Sequence, residues 1–80
     1  MEPNVARDQI WKHTKKGTYY QVCFIANEGN PADDDNNPPI VVYIPIKRDD
    51  EGCFYHDGRE QRKYARKLSS WHNSFELVQE

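Results

Sequence analysis

The sequence has no long hydrophobic run, almost no cysteine and no dominant charge, and each shortage removes a class of protein. No apolar stretch approaches the roughly 20 residues that a membrane-spanning helix needs. The polar start Met1-Glu2-Pro3-Asn4 has no apolar core of a signal peptide, so the cytoplasm is the expected location and no membrane partner is expected. Cys23 and Cys53 are too few and too far apart for a disulfide framework or a four-ligand zinc site, and they read as small buried thiols. His13, His56 and His72 are scattered without metal-ligand spacing. Asp33, Asp35 and Asn37 alternate like the start of a calcium loop, but Pro38 stands where the sharp turn needs glycine and no glutamate closes the frame. No metal and no cofactor are therefore expected.

Catalytic patterns are lacking too. No glycine-rich phosphate loop opens a helix, and no nucleophile sits beside a base. Cys23 with His72 is the one formal candidate, but a strand thiol without a positive neighbour in sequence is more simply structural. The expectation is a binding protein and not an enzyme. Thirteen acidic residues against eleven basic ones, net −2, exclude a surface built wholly for DNA. The same balance weakens a reading of Asp33 to Asp35 and Asp49 to Glu51 as an acidic decoy, because a mimic needs a strongly one-signed face.

What is present fits one small β-rich domain. Eighty residues, 36% hydrophobic and 30% charged, leave room for one core only, and so small a core points to completion against a second copy, a homo-oligomer. Gln9 to His13 reads as a short strand followed by a turn at Thr14-Lys15-Lys16-Gly17. Thr18 to Ala26 is the most secure strand, rich in β-branched and aromatic residues. On a period of two, Tyr20, Val22 and Phe24 are assigned to the core, with Tyr19, Gln21, Cys23 and Ile25 on the other face. The stretch 27–39 is an acidic loop of turn formers. Ile40 to Ile46 is the next strand, with Val42 and Ile44 expected inward and Pro45 marking an edge, a bulge or the strand's end. Residues 48–62 form a polar hairpin insertion around Cys53-Phe54-Tyr55. Leu68 to Trp71 can make one helical turn before Ser74 to Val78 closes as a strand. The expected architecture is all-β: a small antiparallel barrel or bent sheet with one short helical turn, a single domain 1–80 with its core in 9–79.

One segment carries ligand chemistry. Between residues 59 and 67 lie Arg59, Arg62, Lys63, Arg66 and Lys67, with Tyr64 interleaved and Trp71 and His72 just beyond. Arginine forks pair with phosphate oxygens, and aromatic faces stack on bases. The candidate ligand-binding residues are Arg62, Arg66 and Lys67 for phosphates and Tyr64, Trp71 and Trp11 for stacking. Set against this, a charged edge strand protects a sheet from aggregation, and Tyr64, Trp11 or Trp71 can equally be core. Trp11, His13 and Tyr19 offer a second stacking wall, and Lys12, Lys15 and Lys16 add positive charge near the first hairpin.

The motifs Trp11-Lys12-His13, Lys16-Gly17, Tyr20-Gln21-Val22, Ile25-Ala26, Val41-Val42-Tyr43, Tyr64-Ala65-Arg66-Lys67-Leu68, Trp71, Phe75 and Val78 resemble in order those of a small, functionally uncharacterised bacterial and phage family. The likeness runs from residue 9 onward. It departs at the enlarged acidic loop, at the insertion holding Phe54 and Tyr55, and at Lys67, where that family often has proline. The resemblance implies an SH3-like β-barrel. Small phage proteins of this general look include immune-evasion, anti-defence proteins that act as sponges for the host's cyclic nucleotide alarm signals. By that analogy the partner is a nucleotide-type small molecule, held in the host bacterial cytoplasm. The alternative is an SH3-like module that binds a host protein or nucleic acid.

Overall fold

In the computed structural model, residues 4–31 and 33–80 are described; the polar start at 1–3 and Ala32 of the acidic loop lie outside them. The chain order is β1 (Ile10–His13), β2 (Tyr19–Ala26), β3 (Ile40–Arg48), β4 (Phe54–Tyr55), β5 (Tyr64–Lys67), a 3-10 helix (Leu68–Asn73) and β6 (Phe75–Gln79). All pairings are antiparallel, as the all-β expectation requires. The strands lie in the order β4-β3-β2-β1-β6, while β5 pairs with β3 beside Ile40 to Tyr43 and β4 pairs with it at Lys47 and Arg48. The sheet curls into a half-barrel, with β4 and β5 along one edge, β6 at the other, and the 3-10 helix linking β5 to β6.

The β1–β2 hairpin closes where the sequence marks it. The backbone N–H of Gly17 donates to the His13 carbonyl at 2.8 Å, and that of His13 to the Thr18 carbonyl at 2.8 Å. Gly17 sits at φ +72°, a left-handed conformation that costs an L side chain free energy and glycine little.

Two phases in the expected alternation are corrected. Between Val22 and Phe24 the pairing with β3 slips: Val22 lies opposite Tyr43 and Phe24 opposite Val42, so Cys23 is the extra residue of a β-bulge. Past the bulge the faces exchange. Ile25 turns inward at 9% exposure and Phe24 outward at 46%, the reverse of the strict period-two reading. On β3, Val41 and Tyr43 face the core, while Val42 and Ile44 lie on the convex side. Cys23 is half-buried and Cys53 exposed, so neither is the buried thiol expected.

The core is one cluster of Trp11, Val22, Ile25, Val41, Tyr43, Trp71 and Phe75. Trp71 stacks on Phe75 with ring centroids 4.0 Å apart and planes at 7°, and meets Trp11 and Tyr43 edge-on at 5.7 and 5.0 Å. Such aromatic pairs add about 0.5–1.5 kcal/mol each beyond their burial, which helps so small a core. Gln9 is buried among them. Its Oε1 accepts from the Ala6 N–H at 2.7 Å and from Trp11 Nε1 at 3.1 Å, while its Nε2 donates to the Asn4 carbonyl at 3.1 Å. Trp71 Nε1, by contrast, is buried without a hydrogen-bond partner among the described residues.

The insertion at 48–62 does more than cross solvent. It returns Phe54 against Tyr19 on the convex face at 5.0 Å, and the Arg48 guanidinium lies over both rings. Ile10 and Ile46 are buried on the same face. At the insertion's far end Lys47 Nζ and Asp57 Oδ2 pair at 2.9 Å. The backbone N–H of Arg59 and the Lys47 ammonium together hold the Asp57 carboxyl below its ordinary range.

Candidate functional site

The inward faces of five strands converge at the open end of the half-barrel, beside the β1–β2 turn. β1 contributes His13, β2 Tyr20, β3 Tyr43, β5 Tyr64 and Arg66, and β6 Phe75. Tyr20 is the hub, with ring centroids 5.2 Å from Tyr43, 6.1 Å from Tyr64 and 5.7 Å from Phe75. Tyr43 and Tyr64 lie at 5.6 Å with planes tilted by 30°. Tyr64 is 37% exposed, and Tyr20 and His13 are half-buried, so this wall of rings reaches solvent.

Arg66 is fixed over the wall. Its guanidinium carbon lies 5.2 Å from the centroid of the Phe75 ring, which is itself stacked on Trp71. A cation over an aromatic ring contributes about 0.5–2 kcal/mol, and a planar fork held this way has less freedom to lose when it binds. Burial raises the Tyr43 hydroxyl pKa, and the neighbouring Arg66 opposes part of that rise. At the rim the Tyr64 hydroxyl and, further off, Glu60 raise the Arg62 pKa. Glu60 Oε1 stands 4.0 Å from Arg62 Nε and also accepts the Arg62 backbone N–H at 2.9 Å.

His13 closes the site on the β1 side. Its ring meets Phe75 edge-on at 5.1 Å, and its Nδ1 accepts the backbone N–H of Lys16 at 3.2 Å. That bond assigns the neutral tautomer, with the proton on Nε2. Partial burial lowers the His13 pKa first, and the positive charges of Lys16, Arg66 and Lys15 lower it further.

Of the six residues singled out in the sequence, Tyr64, Arg66 and Arg62 come together here. Trp11 and Trp71 do not. At 1% and 0% exposure they are the centre of the core, and no ligand can stack on them while that core is closed. Lys67 is on the other side of β5, in a shallow depression with Asp33, Asp34, Asp35, Pro38 and Ser69. Tyr19, proposed for a second stacking wall, belongs to the convex face under Arg48.

Tyr20, Tyr43 and Phe75 were missed as site residues: the sequence places Tyr20 on the inward face of its strand, whereas the expected phase of β3 turns Tyr43 outward. What the sequence does not show is the register: Tyr43 opposite Tyr64 on one side and Val22 on the other brings three strands' rings together. Among the described residues no group of three metal-ligating side chains gathers, and no helix is long and apolar enough to cross a membrane. Comparison of the chain with models of protein families, with curated proteins and with solved structures finds no match.

Proposed function

We propose that this protein is a binding module which holds an anionic, ring-bearing small molecule of the nucleotide class at the open end of its half-barrel and does not cleave it. One observation carries the reading: a guanidinium, Arg66, is pinned over Phe75 beside a solvent-reaching wall of tyrosine rings. The rings offer faces for a base, and Arg66 and Arg62 offer forks for phosphate oxygens. In the finer form of this reading the protein is a phage anti-defence factor that sequesters a cyclic nucleotide signal in the host cytoplasm, as the sequence resemblance suggests. Non-catalytic capture suits the site, whose side chains are aromatic rings and cations, with the Glu60 carboxylate at the rim turned to Arg62.

The test is calorimetric titration of the purified protein with AMP, cyclic AMP, a cyclic dinucleotide and adenosine, repeated with Arg66→Gln and Tyr64→Ala. A charge-assisted hydrogen bond contributes about 1.5–3 kcal/mol and a stacked base about 1–3 kcal/mol, so each variant is expected to lose roughly 5- to 150-fold in affinity. No binding of any nucleotide, or full affinity in both variants, overturns the proposal.

A second reading, an interaction module for a host protein or nucleic acid, draws on the convex face. There Phe24, Val42 and Ala65 form a cross-strand row, with Lys67 further along β5. RNA binding that weakens with salt and is lost in Lys63→Ala/Lys67→Ala, with Arg66→Gln silent, would favour it. The row is also where a second copy would pack if the protein is a homo-oligomer, and native mass spectrometry of the wild type and Phe24→Ser reads that directly.

A further inference from the structure

The open end of the half-barrel is asymmetric in charge. On the β5 side Arg66 lies over Phe75; on the β1 side His13 lies against the edge of the same ring, and the turn that follows His13 carries Lys15 and Lys16. His13 and Arg66 come from strands remote in sequence and meet at Phe75 of β6, while Lys15 and Lys16 lie on the exposed turn after β1. Around His13 the packed elements contribute Phe75 from β6, Arg66 from β5, Tyr20 and Tyr43 from β2 and β3 through the shared ring cluster, and Lys15 and Lys16 from the turn. The charges acting on the imidazole are those of Lys16, Arg66 and Lys15, all positive. Lys12, the next residue back, is on the opposite face across from Glu76 and takes no part in this cluster.

Concentrated positive charge beside a solvent-reaching surface stabilises an anion. The donors are also of the right kind. The Nδ1 of His13 is engaged by the Lys16 amide, which leaves the Nε2–H as its available donor, and the Arg66 guanidinium lies over Phe75.

We propose that His13 and Arg66, backed by Lys15 and Lys16, form a phosphate subsite that binds an oxyanion across the Phe75 ring. As the phosphate position of the ligand assigned above, this rests on that reading. As a site for a free oxyanion, it stands independently. A bound dianion reverses the electrostatics at His13: the three cations that disfavour the imidazolium are answered by negative charge, and the ring takes up a second proton at Nδ1, which then gives up its bond from the Lys16 N–H.

The experiment follows the imidazole C–H resonances of His13, His56 and His72 by NMR from pH 5 to pH 8.5. It compares chloride alone with sulfate, which does not titrate in this range, and then with AMP and with adenosine, all at matched ionic strength. His13→Gln supplies the assignment. The expected result is that sulfate and AMP raise the His13 midpoint by about one pH unit, equivalent to about tenfold tighter binding to the imidazolium than to the imidazole. Adenosine should leave it in place, and His56 and His72 should not move. Arg66→Gln and, where that variant loosens the Phe75 stack, Lys15→Gln/Lys16→Gln should each reduce the shift.

If AMP binds with no change at His13, the subsite is overturned and the nucleotide reading survives. If sulfate moves His13 and no nucleotide binds, the subsite stands and the nucleotide reading falls. Equal shifts at all three histidines would mark general screening and overturn the subsite.

Discussion

Phe24 and Ile25 are adjacent on one strand, and the bulge at Cys23 makes them opposite in what they contribute. Ile25 is 9% exposed, a member of the core cluster, whereas Phe24 is 46% exposed on the convex face against Val42. Truncating a buried isoleucine to alanine costs about 2–5 kcal/mol, from lost transfer free energy plus the cavity left behind. Ile25 also lines an open cleft with Val5, Pro39, Leu68 and His72, so its surroundings can relax on one side, which places Ile25→Ala toward the low end, about 2–3 kcal/mol. In a domain of this size that lowers the melting temperature by roughly 10–20 °C. Phe24→Ser removes a ring that already keeps much of its contact with water, and about 1 kcal/mol or less is expected.

Urea unfolding followed by the fluorescence of the two core tryptophans measures both variants. The midpoints are comparable provided the slope with denaturant is unchanged. Uninterrupted alternation from Tyr20 predicts the opposite order, Phe24→Ser severe and Ile25→Ala mild. That result at a concentration where the protein is monomeric would refute the bulge and with it the register that brings Tyr43 to the site. A Phe24→Ser penalty that appears only at high protein concentration would instead show the convex row buried between copies.

Two further expectations concern buried polarity and titration. Gln9→Met keeps most of the side-chain volume but leaves Trp11 Nε1 and the Ala6 N–H without their acceptor, so about 1–3 kcal/mol of stability should be lost per buried donor that finds no water, read as a fall in urea midpoint. His13 has a folded-state pKa below its ordinary 6.5, so the unfolded chain takes the proton first as the solution is acidified. Its contribution to stability is complete above about pH 6.5 and is lost as pH falls through the folded-state value. Melting temperatures at pH 7.5 and 5.5 should show a decrease that is smaller in His13→Gln, and an unchanged decrease in that variant would count against the placement of His13.

Much of the architecture is written locally. The β-branched and aromatic run of β2, the glycine at 17 that permits a left-handed turn, the Asp49 to Gly52 turn and the closing alternation of Phe75 to Val78 each specify an element from their own residues, because strand periodicity and turn chemistry are properties of a few neighbours. Tyr64, Arg62 and Arg66 stand out in the sequence as candidate ligand contacts for the same reason: residue type and spacing show cations interleaved with a ring.

Only the tertiary structure decided which face each side chain took and what stood beside it. A one-residue bulge at Cys23 exchanges the faces of Phe24 and Ile25, and nothing in the run Val-Cys-Phe-Ile distinguishes a bulged strand from a regular one. Trp11 and Trp71 have the composition of a stacking site, and burial between the two edges of a curled sheet made them core. The grouping of His13, Arg66 and Phe75 joins His13 to two residues more than fifty positions away, and the pairings β1–β6 and β3–β5 set where their strands lie. Such contacts depend on register and curvature, which arise from the packing of the whole chain and from no segment of it alone.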